Sequence, residues 1–325
     1  MTRRIRSKPA AVLVALLGTT ALAACGGSSS GSGGASGDPA ASHAAAQKLI
    51  AQAIATNPKA SSGRIDGTID LKIKGVPRFK GTTEVTADGA YNLPDGASVP
   101  DFTVDVGLTL AGGGIGGTLL LADSKGYIKL GETGYKLPDS ISQKIVAPAA
   151  NADNGLTKTA AMFYINPQNW QEDAHLVGSG TVAGESVQEI TAKIRPDRFF
   201  ADIARLTHLL TLLHVTQATG LPTVLGPKVR AALVRSVTVA KGEVWIGTSD
   251  HVLRKAHLTG TIVVAKRDRK LLAGVTGGAL DATINVSDVG DPQTITAPTQ
   301  LGSYSALQLS LSALGEAVRK QARGQ

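Results

Sequence analysis

Asp101-Phe102-Thr103-Val104-Asp105-Val106-Gly107-Leu108-Thr109-Leu110 decides the fold. Phe102, Val104, Val106, Leu108 and Leu110 alternate strictly with Thr103, Asp105, Gly107 and Thr109. A helix would gather every third or fourth residue on one face. A period of two instead puts all the apolar residues on one side, so this stretch is a strand with one face buried and one wet. Upstream, Ile65, Ile69, Leu71 and Ile73 alternate in the same way with Asp66, Thr68, Asp70 and Lys72. Weaker versions recur near residues 80–87, 117–122, 126–130, 175–182, 186–194, 233–246, 252–265 and 279–288. The links are short and polar, as at Asp88-Gly89, Ser124-Lys125-Gly126 and Thr248-Ser249-Asp250. Short links between one-sided strands build an antiparallel sheet. So many strands over one core suggest a sheet curled toward a barrel. By parity its inward face carries Leu71, Ile73, Val104, Val106, Leu108, Leu119 and Leu121.

Helical segments flank and interrupt the strands. Ser42 is placed to cap a helix whose stripe is Ala46, Leu49, Ile50, Ala53 and Ile54, ended by Asn57-Pro58. Residues 139–146 and 154–164 are short candidates. Asp197 to Val215 is the unusual one. Phe199, Phe200, Ile203, Leu206, Leu209, Leu210, Leu212 and Leu213 cover most of its circumference, with only Asp202, Arg205, Thr207, His208 and Thr211 between them. A helix this apolar is buried or touches something greasy. It is a core helix, or the lid or wall of a lipid cavity. It is too short to span a membrane, which takes ~20 residues. At the far end, residues 303–325 hold Leu307, Leu309, Leu311 and Leu314, then Arg319, Lys320 and Arg323. That pattern predicts a helical tail with its cations toward the C-terminus, as the helix dipole prefers, and peripheral to the fold.

The N-terminus gives an address. Arg3, Arg4, Arg6 and Lys8 precede an apolar run from Ala10 to Ala21, and the run closes on Leu22-Ala23-Ala24-Cys25. A basic start, a short apolar core and small residues before a cut are the marks of a secretory signal. The final tetrad looks like the lipobox of bacterial lipoproteins, in which the cysteine receives a diacylglyceryl group. Residues 1–24 are therefore expected to be removed, with Cys25 as the lipid attachment site. Gly26 to Ala41 is almost wholly Gly, Ser and Ala, and residues 25–41 read as a lipidated tether spanning about 20–25 Å. A lipid-binding domain over 42–302 and the tail at 303–325 complete the division. The expected location is the extracytoplasmic face of the cell membrane. Cys25→Ala is expected to abolish labelling by a fatty-acid analogue and release the protein from the membrane fraction, because durable anchoring takes two or more acyl chains. Equal label on both proteins would refute the assignment.

Composition narrows the function. The formal charge is +8, and four of the cations belong to the acid-free leader, so the remainder is only mildly basic. That argues against nucleic acid as a partner and suits a surface near anionic lipid. With one cysteine and 4% aromatics, the core has no internal disulfide and rests on aliphatic side chains. Gly112-Gly113-Gly114-Ile115-Gly116-Gly117 fits G-x-G-x-x-G, but Thr118-Leu119-Leu120-Leu121 reads as a strand where a dinucleotide site needs a helix. A glycine-rich hairpin tip is the expectation. His251 and His257 lie six apart on the same face of a strand, but no carboxylate or cysteine completes a site, and His208 and His214 sit too far around a helix to share a ligand. No G-x-S-x-G elbow occurs. No catalytic residue, cofactor or metal site is therefore expected.

Several stretches, in order, resemble the LppX/LprG family of actinobacterial lipoproteins, relatives of the LolA/LolB-type lipoprotein carriers. They are Asn151-Ala152-Asp153-Asn154-Gly155-Leu156, and the paired strands from Glu172-Asp173-Ala174 through Gly184-Glu185-Ser186-Val187. Gly242-Glu243-Val244-Trp245-Ile246 with Asp250-His251-Val252-Leu253 follows, then Val286-Ser287-Asp288-Val289-Gly290-Asp291-Pro292 with Ile295 and Pro298. The resemblance implies an α+β fold: a strongly curved antiparallel sheet, a half-barrel, wrapped around helices and enclosing an apolar cavity for acylated lipids or glycolipids. The cavity would be lined by Leu71, Ile73, Val104, Val106, Leu108, Leu119 and Leu121 from the sheet and Phe199, Ile203, Leu206 and Leu210 from the greasy helix. The implied role is lipid transport within the envelope, with membrane lipids or glycolipids as ligands and a membrane transporter as a partner. A non-transporting scaffold or a lipid sensor is the alternative. The chain departs from the family pattern at 197–235, which is longer, and at 303–325, which extends past the usual end.

Overall fold

In a computed structural model, residues 39–55, 60–76, 82–110, 113–215 and 225–321 are described. Cys25, the leader and most of the tether lie outside them. The strands are β1 (Ser62–Lys74), β2 (Thr82–Asn92), β3 (Asp101–Leu110), β4 (Gly113–Ala122), β5 (Lys125–Leu130), β6 (Thr133–Lys136), β7 (Gln171–Val182), β8 (Glu185–Ile194), β9 (Val237–Gly247), β10 (Leu253–Val263), β11 (Gly277–Ser287) and β12 (Leu301–Gly302). They form one sheet in the order β12-β6-β5-β4-β3-β2-β1-β11-β10-β9-β8-β7. All neighbours are antiparallel except β12 and β6, which run parallel. The sheet is open, with β12 and β7 at its ends. The helices are α1 (Pro39–Ile54), α2 (Asp139–Val146), α3 (Gly155–Met162), α4 (Pro196–Leu212), α5 (Pro227–Ser236), α6 (Lys266–Arg269) and α7 (Tyr304–Gln321). The fold is α+β, a curved antiparallel sheet wrapped around helices.

One face of the sheet takes the helices. The largest core cluster joins Phe102, Leu121, Ile128 and Tyr135 from the strands to Ile145 of α2, Met162 of α3, Leu206 and Leu209 of α4 and Leu307 and Leu311 of α7. A second joins Phe199, Phe200 and Ile203 of α4 to Leu233 of α5 and the inward side chains of β1, β10 and β11. A third seats Ala46 of α1 on Ala174, Ile190 and Ile246. The opposite face is polar and ion-paired, as in Arg64–Asp88 at 2.9 Å and His257–Asp281 at 2.7 Å.

Several expectations are corrected. α1 starts at Pro39, so residues 39–41 are helical and Ser42 is no cap. The Ser42 hydroxyl instead donates to the Leu176 carbonyl at 2.8 Å, tying the helix to β7. Asp88-Gly89 is not a link but lies inside β2. A Cβ on Gly89 would run into the Thr103 carbonyl of β3, so this glycine permits close strand approach rather than a turn. Residues 233–236 are the end of α5, which opens with Pro227 in its first turn. Gly113 to Gly117 lie within β4 rather than at a hairpin tip, and the strand continues where a dinucleotide site would need a helix. α7 is not peripheral: Leu307 and Leu311 are buried in the largest cluster. No helix among the described residues is long and apolar enough to cross a membrane.

Candidate functional site

The cross-strand register shows what the concave face presents. Residues directly opposite in an antiparallel pair share a face. One such row runs Gly117, Val106, Ala87, Gly67, Ile284, Ala256, Val244, Ile190 and Leu176 across β4, β3, β2, β1, β11, β10, β9, β8 and β7. The next runs Ile115, Leu108, Val85, Ile69, Ala282, Leu258, Gly242 and Ala192. Neither row holds a polar side chain. Both contain Gly or Ala where a packed sheet would carry Val or Ile. A Cβ on Gly67 would make only ordinary contacts, 3.7 Å to Ala87 Cβ and 3.8 Å to Ile284 Cγ1. In the first row Val106 and Ile284 keep 38% and 41% of their surface exposed, although they sit on the face that takes the helices.

Where α4 crosses the sheet, an apolar recess opens next to Leu258 of the second row. Leu71, Leu258, Ile262 and Leu280 form its floor, Phe199 and Phe200 of α4 its roof, and Ile194, Val237 and Val239 its sides. The cavity itself is small, about 40 Å³, and it opens to solvent at its mouth. Phe199 is held edge-on to Trp170 at 5.0 Å and to Phe200 at 5.2 Å. Behind the roof, the buried carboxylate of Asp202 accepts from Trp170 Nε1 and from the Asn166 backbone N–H, both at 2.8 Å, and pairs with Arg205. Asp202 thus fixes α4 to the segment leading into β7.

The predicted lining residues are divided by the fold. Leu71 and Phe199 line the recess, and Ile73 and Ile203 belong to the cluster beside it. Val104, Leu119, Leu121, Leu206 and Leu210 lie in the largest cluster, where they pack against α2, α3 and α7. Leu108 is buried on the concave face, and Val106 is on that face and exposed. α4 is both core and wall: its first turns roof the recess and its last turns are core. Leu258, Ile262 and Leu280 lie on strands whose alternation is legible, but Gly260 and Ala282 between them carry too little side chain to mark that face as a lining.

Two polar features were also hidden from the sequence. His257 is flanked by carboxylates from the neighbouring strands, with Nδ1 3.0 Å from Glu243 and Nε2 2.7 Å from Asp281. Burial opposes its charge, but hydrogen bonds to the two carboxylates prevail and raise its pKa. Within the concave side, the Tyr91 hydroxyl is fully buried without a partner, and burial holds its pKa far above the usual phenol range.

No family model matches the chain, and no curated protein matches it. Solved structures do. The chain is similar to LprF and LppX. The match to LprF from Mycobacterium bovis has a TM-score of 0.38 and 13% identity, covering 78% of this chain and 97% of that one. The match to the lipoprotein LppX from Mycobacterium tuberculosis has a TM-score of 0.36 and 14% identity, covering 78% and 99%.

Proposed function

We propose that this chain is an envelope lipoprotein that holds acyl chains of a membrane lipid or glycolipid against its concave face and carries that lipid within the envelope, anchored through Cys25. The observation that carries the proposal is the concave face itself. Two full rows are apolar, α1 covers their β7–β9 end, and on the strands between, Val106 and Ile284 stay exposed on the face that takes the helices. A protein needing only a core would fill those rows, since each buried CH₂ contributes about 0.8 kcal/mol. The same figure sets the demand on a carrier. A two-chain lipid gains on the order of 20 kcal/mol from its membrane, so its chains must be covered on leaving it. A concave apolar face with a helix across one end provides such cover.

The test is native mass spectrometry of the Cys25→Ala chain from an actinobacterial host. Bound mass that organic solvent strips off is expected. Val106→Trp should lower occupancy several-fold while changing stability by less than about 1 kcal/mol, because the site has room and overpacking penalties of about 1–3 kcal/mol arise only in tight cores. A wild-type chain that comes out empty would favour the scaffold reading.

A further inference from the structure

The first turns of α1 lie over the edge strand β7, and there the fold gathers two histidines and a carboxylate separated by about 130 residues in sequence. One ring nitrogen each of His43 and His175 and a carboxylate oxygen of Asp173 all lie within 4.8 Å of one another. The rings are 5.5 Å apart between centroids. We propose that His43, Asp173 and His175 form a binding site for a divalent transition-metal ion of the zinc class, which clips α1 to the sheet edge.

Three features favour a built site over a chance surface pairing. The first is orientation. The His43 Nδ1–H donates to the Ala174 carbonyl at 2.8 Å, which leaves the lone pair on Nε2. Metal-binding histidines are commonly fixed this way, their second nitrogen donating to a carbonyl or carboxylate. The second is a rigid base. Ala46 and Ala174 are both fully buried beneath the cluster, and the Ser42 hydroxyl bonds the Leu176 carbonyl. The third is the backbone. Asp173 has φ of +55°, and the β7–β8 register shifts on both sides of His175. Asp tolerates that region better than most residues. Here that conformation brings the Asp173 carboxylate to His175 Nε2 at 2.9 Å and to Lys193 Nζ at 2.8 Å.

Two imidazoles and one carboxylate suit zinc, nickel or copper better than calcium or magnesium, which prefer all-oxygen shells. Bonds of about 2.0–2.2 Å put tetrahedral ligand atoms roughly 3.4 Å apart, so His43 must draw in by about an ångström while the 2.9 Å contact between Asp173 and His175 opens slightly, shifts that small χ rotations of these partly exposed side chains allow. Three protein ligands leave a coordination position for water or a fourth donor. Lys193 would stay on the far carboxylate oxygen and weaken the site by its charge. Because one face of the site is a helix and the other a strand, bound metal would stabilise the docked α1 by mass action.

Zinc titration by calorimetry, on the untagged Cys25→Ala chain so that no thiol competes, decides the matter. One zinc per chain at micromolar concentrations is expected, with a rise in Tm and slower amide exchange in α1. His43→Gln and His175→Gln should each weaken binding at least about tenfold while leaving the metal-free circular dichroism unchanged. Lys193→Ala should tighten it. Absence of saturable binding by the wild type, or binding by both glutamine variants as tight as the wild type's, would overturn the proposal. Since Asp173 and His175 also stabilise each other, Tm of each variant without zinc separates a folding defect from loss of the ligand.

Discussion

Leu307→Ala is expected to lower the free energy of unfolding by about 3–5 kcal/mol, and removal of residues 304–325 to abolish cooperative unfolding. Leu307 is 0% exposed and Leu311 nearly so, one turn on, and both touch the cluster that contains Phe102, Leu121, Tyr135 and Leu209. Leucine-to-alanine changes at such sites remove transfer energy and leave a cavity, which together amount to about 2–5 kcal/mol. The site can collapse little, because α7 is tied at its start. Tyr304 and Gln308 both bond the ring of His214 at the end of α4, at 3.2 and 3.0 Å. Just before it, Gly302 packs so closely on Tyr135 that a Cβ would lie 2.6 Å from its ring. Leu309, on the same helix and 73% exposed, is the internal control: Leu309→Ala should change stability by less than about 0.5 kcal/mol. Urea denaturation of the two variants makes the comparison. Equal, small effects would return α7 to the periphery.

That outcome bears on what a sequence of this kind discloses. Period two located β1 and β3 because their polar and apolar residues separate cleanly, and it gave the inward parity on which Leu71, Val104 and Leu121 were chosen. It could not say which inward residues meet a helix and which meet open space, since that depends on where α2, α3 and α7 land. Leu119 and Val106 have the same parity and hydrophobicity, yet one is packed in core and the other exposed. In the tail, Leu307, Leu309, Leu311 and Leu314 show a helix, but burial of its inner side depends on Tyr135 and Phe102 about 170–200 residues away. Asp88-Gly89 carries a strong short turn signal and is overridden by β1 and β3 pairing on both sides of β2. The His43–Asp173–His175 cluster left no spacing to find. His175 and Asp173 alternate on a strand like any exposed pair, and their partner arrives from a helix that the sequence places next to a tether.

Asp202→Ala is expected to lower stability by about 2–5 kcal/mol and to loosen the roof of the recess selectively. The Asp202 side chain is almost wholly buried, and one of its oxygens accepts both from Trp170 Nε1 and from the Asn166 backbone at 2.8 Å. Alanine leaves those two donors without a partner, and each unsatisfied donor costs about 1–3 kcal/mol. Arg205 loses its ion pair as well, but it is half exposed and is resolvated, so that loss adds little. Asp202→Asn separates the contributions. Its carboxamide oxygen can take both donors while its NH₂ faces Arg205, so it should lose only about 1 kcal/mol. The structural consequence follows from position. Trp170 packs edge-on against Phe199 at 5.0 Å, and Phe199 roofs the recess, so freeing Trp170 unfastens the N-terminal half of α4 while its C-terminal half stays packed on α7. Amide exchange should therefore speed up across residues 196–203 more than across 206–212 in the alanine variant. If the recess takes acyl chains, lipid occupancy should fall in Asp202→Ala and be kept in Asp202→Asn. Uniform exchange along α4 would mean that Asp202 stabilises the helix as a whole and does not hold the roof.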